Sequence, residues 1–252
     1  MSDEALKERH QSEIAFHNKK YSQEKKSFYD FGFTDLIFND MLKKIGDLTN
    51  KKVVDFGCGN GWLTEILLKK GAEVWAFDIS EEAINITSKK AKRMNLSERV
   101  HFDVMPAEHL SYKDDFFDVV VGVAILHHLD INLAACEILR VLKSKGTSYF
   151  MEPLAHNPLI NFYRKRTPEI RSADETPLHD EDLTILKGKF RSFSNENYYL
   201  ITLLSLFWYY VIYNEKLTLK TRDILFKLDI LFLRAFPVLK RYCWYSILTM
   251  QK

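Results

Sequence analysis

The stretch that decides the fold is residues 51–80, KKVVDFGCGNGWLTEILLKKGAEVWAFDIS. A short apolar run, VVDF, leads into Gly57, Cys58, Gly59, Asn60 and Gly61. An amphipathic helical pattern follows, with Leu63, Ile66 and Leu67 inward and Gly71 as its stop. A second apolar run, EVWAF, then ends on Asp78. This is a strand, a turn, a helix and a second strand. Glycine turns of this kind allow a tight bend and a close approach of backbone to ligand.

The pattern continues on both sides. Ser80 is a helix N-cap, with Glu81 and Glu82 in the first turn. RVHFDVM and FFDVVVGVAIL read as a third and fourth strand. INLAACEILRVLKSKG reads as a helix ending at Gly146, and TSYFMEP as a fifth strand. Five strand–helix alternations up to Pro153 predict a parallel, doubly wound sheet. Ligands bind such sheets beyond the carboxyl ends of the strands. Upstream, residues 4–27 read as a polar helix, and a second helix carries Leu36, Ile37, Met41, Leu42 and Ile45. Downstream, a sixth strand is expected within FRSFSNENYYLITLLSLF, and CWYSILTMQK reads as a seventh.

The glycine spacing separates two ligand classes. A dinucleotide site uses G-x-G-x-x-G and seats a pyrophosphate on the helix N-terminus. Here the spacing is G-x-G-x-G, with Asp55 two residues upstream. An acidic side chain there favours a cationic group, such as an ammonium. Asp78, at the end of the second strand, suits ribose hydroxyls. S-adenosylmethionine presents both a ribose and a cationic amino-acid end.

With these residues in place, the stretch resembles the first two motifs of the class I S-adenosylmethionine-dependent methyltransferases. FFDVVVGVAILHHL and ILRVLKSKG resemble the downstream motifs, and the resemblance covers about residues 50–153. It implies a Rossmann-like, doubly wound, seven-stranded α/β sheet with an antiparallel last strand and helical lid insertions. The implied cofactor is S-adenosylmethionine. Gly57 and Gly59 would line its methionine moiety through their backbone, with Cys58 and Gly61 in the same turn and Asp55 behind them. Asp78 would hold the ribose and Ile79 would pack on the adenine. Relatives often carry Gly-Asp-Ala after the third strand, but this chain has Pro106 where that aspartate stands. Proline offers neither a carboxylate nor an N–H, so Ala107 would supply a backbone contact and Glu108 the acid. Tyr21 could fold over the cofactor.

Acceptor-side candidates sit after the fourth and fifth strands: His127 and His128 in AILHHLD, and Glu152 in YFMEP. Asn157 before Pro158 reads as a helix N-cap with proline at N1. His156 follows Glu152 closely, and His179 reads as a solvated loop residue. Family members that methylate a nucleobase amine often carry Asn-Pro-Pro-Tyr or Asp-Pro-Pro-Tyr after the fourth strand, so by that resemblance its absence here weakens such an acceptor. Neither Cys58 nor Cys136 is placed for cytosine C5 chemistry.

Bulk properties narrow the class further. A net charge of +2 over 252 residues gives no nucleic-acid footprint. The three cysteines are scattered, so no disulfide framework and no metal site are expected, and a reducing, cytoplasmic setting is the simplest. The longest near-apolar run, residues 200–213, is 14 residues long, short of the ~20 that a bilayer-spanning helix needs. Residues 207–252 mix eight basic and three acidic residues with aromatic and leucine side chains. That composition fits packing against the sheet, an apolar cap over the acceptor, or a face that leans on a membrane or a lipid-linked substrate.

The expected organisation is one methyltransferase domain. Residues 1–48 form an N-terminal helical lid, 49–153 the cofactor-binding core, and 154–252 the acceptor-side insertions and last two strands. The leading expectation is methyl transfer to a small, partly apolar molecule, with oxygen favoured as the acceptor atom. RNA methylation, as of a tRNA base, and a catalytically idle cofactor-binding partner protein are the alternatives.

Overall fold

The computed structural model describes residues 3–21, 31–167, 171–172 and 175–252; of Asp3, Lys20 and Tyr21 it describes the backbone alone. Seven strands form one sheet in the order β3-β2-β1-β4-β5-β7-β6. They are β1 (Lys52–Phe56), β2 (Glu73–Asp78), β3 (Val100–Val104), β4 (Phe117–Val123), β5 (Leu142–Pro153), β6 (Ser192–Tyr198) and β7 (Tyr245–Gln251). The first five are parallel, and β7 runs antiparallel between β5 and β6. Strand order reverses between β1 and β4, so the crevice beyond their carboxyl ends is the expected ligand site.

Helices cover both faces. They are α1 (Asp3–Tyr21), α2 (Asp35–Ile45), α3 (Trp62–Lys69), α4 (Glu81–Arg93), α5 (Ile131–Val141), α6 (Pro158–Arg166), α7 (Asp180–Lys189), α8 (Leu206–Ile212) and α9 (Glu215–Ala235). Alternate residues of the central strands serve two cores. Val53, Val74 and Val121 pack with Ile37, Met41 and Leu67 on one face. Val54, Phe56, Phe77 and Val120 pack with Ala135, Ile138 and Leu186 on the other. Strands buried on both faces read as continuous apolar runs, which is why VVDF and VVVGV are legible as strands.

Two expectations are corrected. The fifth helix does not run to Gly146: α5 stops at Val141, and β5 begins at Leu142. Leu142 stands four residues after Ile138 and so fits the helical stripe, but its fully buried side chain is spent as the partner of Phe117. The register shifts before Val119 pairs with Thr147, and Lys145 takes up the irregularity at φ +67°.

The C-terminal third does not simply pack against the sheet either. Leu203 and Leu206 are buried. However, thirteen of the eighteen exposed large apolar side chains among the described residues fall between Phe207 and Tyr242, on α8, α9 and the turn that follows. What fixes α9 is polar. Asp229 accepts hydrogen bonds from the N–H groups of Leu200, Ile201 and Thr202 and from the Thr202 hydroxyl. Arg222 donates to the carbonyls of Gly32 and Phe33. No described helix is long and apolar enough to cross a membrane.

Candidate active site

The glycine turn is held by bonds that only a tight loop can make. Gly57, Gly59 and Gly61 all have positive φ, at +77°, +52° and +78°. A Cβ on Gly57 would come within 2.7 Å of the Ile125 side chain, and one on Gly61 within 2.6 Å of Thr87. The Cys58 N–H donates to the Phe77 carbonyl at 2.8 Å, which ties the turn to β2. Thr87 of α4 donates to the Gly59 carbonyl at 3.0 Å.

Asp55 is fully buried. Its Oδ2 accepts from the Thr64 hydroxyl at 2.5 Å, and its Oδ1 has no partner among the described residues. Burial, aided by the nearby Asp78 charge and opposed by the Thr64 bond, pushes its carboxyl up to about 7. A buried carboxyl with an unused oxygen is the complement of a cationic ligand end. Asp78 accepts from the Gly59 N–H through Oδ2 and from the Ser80 N–H through Oδ1, both at 2.9 Å. Each oxygen keeps a second lone pair for a hydroxyl donor. Ser80 caps α4 as expected, accepting from the Ala83 N–H. Burial raises the Cys58 thiol well above its ordinary range, as do Asp55 and Asp78, so it stays protonated and is no nucleophile.

Other cofactor-side residues fall into different places. Ile79 is half-buried beside Asp78, and Ala107 is buried against Phe77 and Leu110. Glu108 is occupied by protein groups: Oε1 accepts from the Asp130 N–H, and Oε2 lies 3.1 Å from His10 Nε2 on α1. These contacts tie α1 to the start of α5. The side chain of Tyr21 lies outside the described residues.

On the acceptor side, the turn Leu126–His128 after β4 meets the end of β5. Glu152 is fully buried. Its Oε1 accepts from the N–H groups of Ile125 and Leu126, both at 2.9 Å. Its Oε2 lies 2.8 Å from His127 Nδ1. A carboxylate there makes Nδ1 the protonated nitrogen and leaves Nε2 as the acceptor. His127 lines a cleft of about 890 Å³ together with Arg9, Leu126, Ile131, Thr176 and Leu178. The two adjacent histidines therefore separate in role. His127 belongs to Glu152 and the cleft, whereas His128 turns to α1, where its Nδ1 lies 3.2 Å from Glu13 Oε2. Burial, and the neighbouring His127, push His128 down to about 4, so it is neutral at physiological pH. Burial disfavours the Glu13 charge, yet the close imidazoles of His128 and His17 hold its carboxyl well below the usual carboxylate range.

Asn157 caps α6, accepting from the N–H groups of Leu159 and Ile160. His179 is solvent-exposed at the start of α7, and His156 lies 3.5 Å from Asp180. Sequence reading passed over Arg9, Glu13, His17 and Glu175. The one available signal was the E-x-x-x-H spacing of Glu13 and His17, which puts both on one face of a helix. Helix α1 crosses the carboxyl ends of the strands. Its Asn18 accepts from the Ser80 hydroxyl, its Glu13 faces His128, and its His10 meets Glu108.

This architecture shares the seven-stranded α/β fold of solved methyltransferases. Residues 54–150 match the family model described as a methyltransferase domain. Among curated proteins, the ubiquinone biosynthesis O-methyltransferase of Bartonella quintana (strain Toulouse) is 30% identical over 115 residues, 45% of this chain and 46% of that protein. The match thus spans about half of the relative's length. Phosphoethanolamine N-methyltransferase 2 of Haemonchus contortus superposes with a TM-score of 0.62 at 16% identity, over 90% of this chain and 58% of that one. Geranyl diphosphate C-methyltransferase of Streptomyces coelicolor A3(2) does so with 0.58 at 14% identity, over 84% and 78%. One fold thus carries methylation of oxygen, nitrogen and carbon, and the acceptor must be argued from the site.

Proposed function

We propose that the protein is an S-adenosylmethionine-dependent O-methyltransferase acting on a small, partly apolar acceptor. The observation that carries this reading is the buried His127–Glu152 pair, 2.8 Å apart, with His127 lining the cleft. A hydroxyl is a poor nucleophile until its proton is removed, and a neutral imidazole backed by a carboxylate is suited to remove it. When bound, the cofactor supplies an electrophilic methyl carbon on a sulfonium. Asp55, Asp78 and the backbone of Gly57 and Gly59 would hold it, with Ile79 and Ala107 near the base. His127 Nε2 would take the acceptor proton, and Glu152 would fix the His127 tautomer and stabilise the imidazolium. The remaining demand is alignment, which the walls of the cleft supply. The name of the curated relatives supports oxygen as the acceptor atom. In this reading residues 1–48 and 154–252 enclose the core 49–153 as one domain, and α1 is its lid. The near-neutral charge and the three unbonded cysteines fit a small-molecule enzyme of the cytoplasm.

The partner reading has a second part. Leaving a Leu or Phe side chain in water rather than buried forgoes ~1.5–3 kcal/mol. The exposed band on α8 and α9, including Phe207, Val211, Leu231 and Phe232, is too large to be incidental. Lys216, Lys220, Lys227, Arg234, Lys240 and Arg241 lie along the same segment. An apolar helical face with basic neighbours fits the surface of an anionic bilayer. The band reaches α6, where Tyr163 meets Tyr210 with ring centroids 5.6 Å apart. Arg164 of α6 binds Glu175, which lies beside His127 and His128. A lipid-soluble acceptor would therefore enter from the membrane side.

The test is calorimetric titration with S-adenosylmethionine and S-adenosylhomocysteine, followed by transfer of labelled methyl into an extract. Micromolar binding and a labelled product soluble in organic solvent support the reading. Binding without transfer to any acceptor would bring the idle-partner alternative forward, and labelled RNA would bring forward the nucleic-acid one.

A further inference from the structure

The geometry points to a divalent metal site formed by Glu13, His17 and His128, at the junction of α1 and the turn after β4. Glu13 and His17 stand one helical turn apart, so both side chains share a face. Glu13 Oε2 lies 3.2 Å from His17 Nε2 and 3.2 Å from His128 Nδ1. One ligand atom from each residue lies within 4.8 Å of the others. Two ligand atoms that each sit ~2.1 Å from one ion are ~3.0–3.4 Å apart at octahedral or tetrahedral angles. The carboxylate is thus already at coordinating distance from both imidazoles.

A second observation favours an ion over a plain hydrogen-bonded network. Glu13 is only 5% exposed, and neither of its carboxylate oxygens has a hydrogen-bond partner among the described residues. The imidazoles of His17 and His128 both approach the same oxygen, Oε2, within ion-pair distance. A carboxylate facing two imidazoles is the donor set that a cation between the three groups would complete. Two imidazoles and one carboxylate suit a first-row divalent ion of the zinc, manganese or iron(II) kind and leave coordination positions open. Those positions adjoin His127, whose ring centroid is 4.3 Å from that of His128. Glu175 stands in reach, since it forms a second candidate group with His127 and His128. On the O-methylation reading, an ion here would bind the acceptor oxygen and acidify the proton that His127 removes.

The experiment uses the full chain, stripped with chelator and then titrated separately with Zn²⁺, Mn²⁺ and Co²⁺ by calorimetry, with the visible spectrum followed for Co²⁺. One ion per chain is expected, with d–d bands for Co²⁺, and Glu13→Gln and His128→Asn should each weaken affinity by roughly 100-fold. S-adenosylhomocysteine titrated into the same metal-free samples reports folding and tests the methyltransferase reading by itself. Normal cofactor binding with no ion taken up at millimolar concentration overturns the site. So does metal affinity unchanged in both variants, which would place the ion elsewhere. If a variant does not fold, the Co²⁺ spectrum of the unmodified chain decides, and absence of d–d bands counts against the site.

Discussion

Nδ1 of His127 and Oε2 of Glu152 are 2.8 Å apart, while the other Glu152 oxygen holds the backbone of Ile125 and Leu126. One carboxylate thus sets both the path of the turn and the tautomer of the imidazole on it. Glu152→Gln keeps an oxygen for the two N–H groups but presents an amide N–H to Nδ1. The proton would then move to Nε2, and the base would be lost. We expect kcat to fall by about 10²–10⁴-fold, as for loss of a general base, with thermal stability nearly unchanged. His127→Ala should fall by a similar factor. Equal turnover in both variants and the parent protein would remove the pair from the mechanism.

Cofactor affinity should depend on pH through Asp55. Its folded-state value of about 7 lies above the ordinary 3.8, so the carboxyl is protonated below neutrality and charged above it. A cationic ligand end prefers the charged form. Affinity for S-adenosylmethionine should therefore rise by about tenfold between pH 6 and 8. The same group makes the unliganded protein less stable as pH rises from about 4 through 7, because the folded state binds the proton more tightly. Calorimetry at several pH values checks the first trend. Asp55→Asn should flatten it.

The glycine turn and the histidine turn are packed against each other, since a Cβ on Gly57 would meet Ile125 at 2.7 Å. Gly57→Ala should cost ~1–2 kcal/mol for the left-handed backbone, plus the displacement of Ile125. Because Ile125 leads directly into His127, turnover should fall along with cofactor affinity. A melting curve and steady-state kinetics measure both, and a variant with normal kinetics would uncouple the two turns.

Asp229 is the polar fastening of α9, accepting from three backbone N–H groups and one hydroxyl. Asp229→Ala leaves those donors unsatisfied, with the Thr202 N–H and hydroxyl buried among them. The expected loss is about 3 kcal/mol, or roughly 10 °C in melting temperature for a chain of this size. Differential scanning calorimetry reads it.

The exposed face of α8 and α9 gives a separate expectation. The full chain should co-sediment with vesicles containing phosphatidylglycerol and far less with phosphatidylcholine vesicles. Leu231→Glu with Phe232→Glu should abolish the effect and leave S-adenosylhomocysteine binding intact. Concentration-dependent dimers that disappear in the same variant, without vesicle binding, would assign the face to a second copy instead.

Much of this was legible because chemistry and periodicity coincide in residues 51–80. VVDF and EVWAF must be buried on both faces, the glycines need positive φ, and Ser80 caps a helix locally. The α5 boundary was not legible, because Leu142 satisfies a helical stripe and a strand pairing equally well until Phe117 claims it. Glu13 and His17 gave little signal, since on a polar helix they look solvated, and only tertiary packing brings them to His128. Likewise composition alone leaves the leucines and phenylalanines of α9 open between core, cap and membrane face. Their exposure depends on which face Asp229 and Arg222 fasten inward.

Helix α1 leans on both halves of the crevice, through Asn18 at Ser80 and through Glu13 at His128. A rigid helix cannot leave one contact without disturbing the other. On the proposed reading, with α1 as the lid, exchange of spent cofactor and departure of methylated product would share a single door. That reading would give an ordered cycle, cofactor first and acceptor second, with S-adenosylhomocysteine leaving last.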